Sequence, residues 1–138
     1  MAPLLPIEDR ARGWLDKERP DGVLLEGKQV TALAVAAAVF YRGFAHLDEH
    51  WERLAKNKTA LPLDEIDSDT PVSDSEWALI RPLFLLYIER ETALMLEASR
   101  GLGVDVFGRT ASEIAADITA IEQEMAHRAF YQPIVTVI

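Results

Sequence analysis

Apolar positions recur at intervals of three and four from about Lys28 to Lys56: Val30, Leu33, Ala37, Phe40, Phe44, Leu47, Trp51 and Leu54. At 3.6 residues per turn that spacing draws a single stripe, and no proline interrupts it, so it predicts a long first major helix. Alanines at 34, 36, 37 and 38 thin the stripe's flank, which lets another helix approach closely. A second major helix is predicted from Trp77 to about Arg100. Within it LFLLYI, residues 83–88, is apolar on all sides, so that turn has to be buried inside the domain or between subunits. Pro82 lacks a backbone donor and its ring clashes with the carbonyl four residues back, which predicts a kink. Ile114, Ile118, Ile121 and Met125, spaced four, three and four, mark a third major helix ending near Phe130.

Local chemistry sets the boundaries. Ser73-Asp74-Ser75-Glu76 and Thr110-Ala111-Ser112-Glu113 both have the form of a capping box, in which hydroxyl and carboxylate satisfy orphan N–H groups at a helix start. The proline- and acid-bearing stretch 59–74 reads as a loop. Gly101 and Gly103 suit a left-handed helix stop. Residues 1–27 form an irregular segment broken by Pro3, Pro6, Pro20 and three glycines, with a short helix from about Ile7 that stops at RPDG. VLL, residues 23–25, suits a short extended piece. Residues 131–138, YQPIVTVI, are different again. Pro133 pushes Gln132 out of the α region, and five β-branched residues follow, so an extended C-terminal arm is predicted. The expected fold is a single all-α domain: a small bundle of three major helices, a short N-terminal helix and that arm.

At 138 residues and 49% hydrophobic content the chain can bury a core unaided. It has no cysteine, which excludes disulfides, thiol catalysis and cysteine–zinc sites. Fourteen Lys and Arg against 23 Asp and Glu give a formal charge of -9, with the basic residues scattered. Tight nucleic-acid binding relies on clustered cations that release counterions, so it is not expected. MAPLLPIEDRARGW carries prolines and acids where a signal peptide has a basic and then an apolar region. VTALAVAAAVF is too short to span a bilayer.

Candidate chemistry is sparse. His46 and His50 share a helix face, as zinc ligands can, but a two-ligand spacing alone is weak and His127 is the only other histidine. Asp67 and Asp69 alternate as in a calcium loop, yet Thr70-Pro71 stands where the sharp turn needs glycine. GLGVDVFG follows a helix and lacks the phosphate-loop lysine, so helix termination explains it. Ser68, Ser73, Ser75, Ser99 and Ser112 have no histidine near them in sequence. No catalytic residue, metal or cofactor is expected. The arm is the candidate site, because a lone strand leaves its N–H and C=O groups unpaired and favours a partner's sheet edge over packing back on its own helices.

The stretch LFLLYIERETALMLEASRGLGVD, then a short loop, a capped helix and a β-branched arm, resembles the head completion and head-to-tail connector proteins of tailed phages. The likeness covers residues 73–138, the helix at 28–56 fits the same layout, and residues 1–27 have no counterpart in it. The resemblance implies a non-enzymatic adaptor in the virion, assembled in the host cytoplasm as a dodecameric ring beneath the portal protein. It also implies a tail-side connector or tail terminator protein as second partner, and no membrane. The arm positions Pro133, Ile134, Val135, Thr136, Val137 and Ile138 would dock on the portal. DNA would pass through the ring without tight binding, which an acidic lumen favours. Two other readings compete: a non-viral binding or chaperone-like module whose tail adds a strand to a partner, and an enzyme using His46, His50 and nearby acids.

Overall fold

The computed structural model describes residues 4–20, 23–44, 66–100 and 108–130. Their order is β1 (Leu4–Pro6), α1 (Ile7–Lys17), α2 (Gly27–Arg42), β2 (Pro71–Ser73), α3 (Asp74–Ser99) and α4 (Ala111–Phe130). The fold is mostly α-helical, as the apolar periodicity predicts, with one small antiparallel sheet added.

Helix α1 buries Ile7, Ala11 and Trp14, one face at helical spacing. Glu8 and Asp9 in its first turn and Lys17 in its last complement the helix dipole. Its N-cap is Pro6, which has no side-chain acceptor to offer. Backbone carbonyls take the orphan donors instead, Ile7 N–H to Thr70 O at 3.0 Å and Glu8 N–H to Ser68 O at 2.9 Å. Those carbonyls are held by a tight turn in which Asp67 Oδ1 accepts from Asp69 N–H at 2.9 Å. Asp67 therefore shapes a loop that caps a neighbouring helix.

The sheet corrects two sequence readings. β1 lies in the segment taken as irregular, and β2 lies in the stretch taken as loop; they pair Leu4 with Ser73, Leu5 with Val72 and Pro6 with Pro71. Strands of three residues, each containing a proline, are too short to show alternation. VLL forms no strand: Leu25 is buried in the core with Val23 packed against it, while Leu24 is 78% exposed.

Helix α2 buries Val30, Ala34, Ala37, Ala38 and Tyr41. Ala34, Ala37 and Ala38 are thus the centre of the packed face and not its flank, with Leu33 and Phe40 half-buried beside them and Ala36 exposed. Small side chains on the contact line bring backbones close, so α2 settles on its alanine ridge. The predicted run to Lys56 is corrected as well. The helix ends at Arg42, where Gly43 N–H and Phe44 N–H bond to the carbonyls of Phe40 and Tyr41. A Cβ at Gly43 would meet the Phe40 carbonyl at 3.1 Å, so glycine eases this tightened turn. Leu47, Trp51 and Leu54 lie outside the described residues.

Helix α3 starts at Asp74, three residues before the predicted Trp77, and continues through Pro82 to Ser99. The capping box is complete and buried: Glu76 N–H donates to Ser73 Oγ at 3.2 Å, and Ser73 N–H to Glu76 Oε1 at 2.9 Å. Arg10 ties α1 to this corner through Val72 O at 3.1 Å and Asp74 Oδ1 at 2.7 Å. Leu83 and Phe84 are fully buried, and the Phe84 ring meets Trp14 edge-on at 5.8 Å and Trp77 at 5.3 Å. At the next helix start, Glu113 N–H donates to Thr110 Oγ1 at 3.2 Å, and Ala111 N–H to Glu97 Oε1 at 3.0 Å. Gly108, at φ +80°, makes the left-handed step just before it, while Gly101 and Gly103 lie outside the described residues. Helix α4 buries Ile114, Ile118 and Met125 and reaches Phe130, as predicted.

Ser73→Ala is expected to cost about 0.5–2 kcal/mol, with Thr110→Ala nearer the lower end because that cap is exposed. Urea unfolding checks both, and unchanged midpoints at both sites would mean that the caps contribute nothing.

Candidate functional site

Helix α3 is 26 residues long, and its apolar middle has more side chains than its neighbours cover. Tyr87 and Ile88 continue the buried face of Leu83 and Phe84, whereas Leu85 and Leu86 are only half-buried. Two depressions follow from that surplus, one on each flank.

The first, about 430 Å³, lies between α3 and the end of α1, with Trp14, Val23, Leu85, Ile88, Ala93 and Leu96 among its walls. Glu18 and Arg81 pair at 2.8 Å on its rim. The second, about 400 Å³, lies between α3 and α4 and is lined by Pro82, Leu85, Leu86, Ala120 and Ile121, with Glu89 and Asp117 at its edge. Arg109 stands where the two meet. Its Nε and Nη2 donate to the two oxygens of Glu89, each at 2.8 Å, and its Nη1 donates to Asp117. The Glu89 hydrogen bonds first, then the Asp117 bond, raise the Arg109 pKa above its ordinary value. The clasp is open to water, so it fixes geometry more than it adds stability.

Both depressions are apolar floors with paired charges at the rim. Such surfaces accept apolar side chains; Thr92, the hydroxyl among their described lining residues, donates its Oγ1 proton to Ile88 O at 2.9 Å. Ser73 is consumed by the helix cap, and Ser99 Oγ donates to Met95 O at 2.9 Å. His46 and His50 lie outside the described residues, and His127 is exposed on α4. Among the described residues no group of three or more His, Asp or Glu is placed to hold a metal ion. Nor is any helix among them long and apolar enough to cross a membrane.

The buried Tyr87 phenol has a raised pKa, chiefly through desolvation and then through Glu122, with Arg90 opposing. Arg90 sits 5.0 Å from the ring centroid. A phenol raised in the folded state stays protonated where the unfolded chain ionises, so stability falls as pH climbs past the ordinary value of 10.0. Urea midpoints measured across that range should fall less steeply for Tyr87→Phe than for the parent chain.

The predicted docking positions, Pro133, Ile134, Val135, Thr136, Val137 and Ile138, lie outside the described residues. The described part does fix where they depart from. Leu79, Pro82, Ile121 and Met125 surround one small depression, and Glu89 and Asp117 share Arg109, so α4 runs antiparallel to α3. Phe130 therefore ends α4 at the end of the bundle where α3 begins and the β1–β2 sheet lies. The two flanking depressions were not singled out from the sequence, although the all-round apolarity of LFLLYI is their signal. No family model, no curated protein and no solved structure matches the chain.

Proposed function

We propose that the chain is a structural adaptor of a tailed phage, a head-to-tail connector that forms a ring of identical copies between the portal and a tail-side connector or tail terminator protein. The observation that carries this reading is the apolar surface that α3 contributes, among the described residues, to a depression on each of its flanks. Surface of that kind serves contact with other proteins. The arm, Pro133 to Ile138, supplies the portal contact: main-chain pairing gives affinity and alternate apolar side chains give fit. A net charge of -9 lets DNA pass without being held. On this reading the protein acts in the virion, carries no cofactor and catalyses no reaction.

The test is co-sedimentation of the purified chain with the portal protein encoded in the same genome. Co-migration of several copies per portal ring is expected. Failure to co-migrate at micromolar concentrations, with stable capture of a host protein instead, would favour the non-viral binding module.

A further inference from the structure

The surface between α3 and α4, a shallow notch at Leu79 and Met125 that leads into the larger depression, has the length and chemistry of a resting site for the arm itself. From Asp117 to Phe130, α4 rises about 20 Å, at about 1.5 Å per residue. Along that length lie Met125 and Leu79, then Pro82 and Ile121, then Leu85, Leu86 and Ala120. Residues 131–138 follow directly from Phe130, and eight extended residues reach about 26 Å. If Tyr131 to Pro133 reverse the chain, which the proline favours, the five residues from Ile134 cover about 16 Å of the return. That is the stretch of furrow from the Phe130 end to about Ala120.

Chemistry agrees with reach. The furrow floor is aliphatic, and Ile134, Val135, Val137 and Ile138 are aliphatic. Glu89 and Asp117 at its edge are already paired with Arg109, so the furrow offers no open charge for a charged occupant to pair with there, and residues 131–138 carry no acidic or basic side chain. The groove on the α1 flank is a poorer seat, because reaching it means crossing the width of α3, about 8–10 Å, before any side chain is buried.

We infer that the arm of each free chain folds back along its own α3–α4 furrow, with Ile134 to Ile138 lying along Leu79, Pro82 and Ile121, and leaves that seat only when a partner binds it. This goes beyond the adaptor reading and does not depend on it, since the seat exists in the isolated chain.

Because the chain has no cysteine, Thr136→Cys can carry a single spin label. In the dilute, isotope-enriched protein the amide signals of Leu86, Ala120 and Ile121 should broaden several-fold more than that of Arg12 on α1. Ile121→Glu should relieve the broadening at Leu86 and Ala120 while leaving the helical spectrum intact. Two results overturn the inference. One is an absence of selective broadening in the parent chain. The other is broadening that appears when labelled, unenriched copies are mixed with enriched, unlabelled ones, which would seat the arm on a second copy.

Discussion

Phe84→Ala is expected to lower stability by about 3–5 kcal/mol, the range for removing a fully buried aromatic ring. Phe84 has no exposed surface, and it is where α1 meets α3: Trp14 lies edge-on at 5.8 Å and Trp77 is tilted at 5.3 Å. Neither tryptophan can close the resulting void. Trp14 is held by the α1 face that also buries Ile7 and Ala11, and Trp77 sits just after the buried capping box. A whole domain of this kind is stable by only about 5–15 kcal/mol, so the loss is a large fraction of the total. The melting temperature should drop on the order of 10–20 °C. Trp14 also lines the groove on the α1 flank, so the same substitution should loosen that wall. A loss below about 1 kcal/mol in urea unfolding would show that the aromatic cluster does not hold α1 to α3.

Deleting Ile134 to Ile138 has the opposite profile: a smaller loss of stability, limited to the arm's own contacts, and, on the proposed adaptor role, complete loss of incorporation into particles. The described core already joins α1, α2, α3 and α4, from Ile7 to Met125. Burying each aliphatic side chain on a partner contributes about 1.5–3 kcal/mol before ordering costs. In the proposed ring, even weak arms would hold by avidity, and losing all of them would remove the anchor. Proline at Val135 or Val137 should act like the deletion, because it keeps apolar surface but removes a backbone donor. Calorimetry and particle composition read the two effects separately. A truncated chain without a melting transition would place the arm in the core, and a truncated chain that still enters infectious particles would remove its role as anchor.

What the sequence revealed followed from the range of the interactions involved. The Ser73–Glu76 box was legible because both partners lie within one turn, and its two bonds are present at 3.2 and 2.9 Å. The α4 face was legible because Ile114, Ile118 and Met125 are large and regularly spaced. The face of α2 was half-legible: Val30 and Ala37 are buried as their spacing predicts, but weighting by size favoured Leu33 and Phe40, whereas close packing selected Ala34 and Ala38. The sheet was missed because each strand has three residues, and its pairing joins positions far apart in the chain. Arg109 was missed for a similar reason: in a chain with 23 acids, nothing local singles out Glu89 and Asp117 as its partners. The open flanks of α3 were half-legible. All-round apolarity in LFLLYI announced a surplus, but which residues stayed uncovered depended on where α1 and α4 came to lie.

The central claim, that this chain joins portal to tail through residues 133–138, is tested most directly by electron microscopy of DNA-filled heads. Heads assembled with the full chain should show an added ring of density on the outer face of the portal, and heads assembled with the chain lacking Ile134 to Ile138 should show a bare portal. A bare portal with the full chain present, or an intact ring with the truncated one, would contradict it.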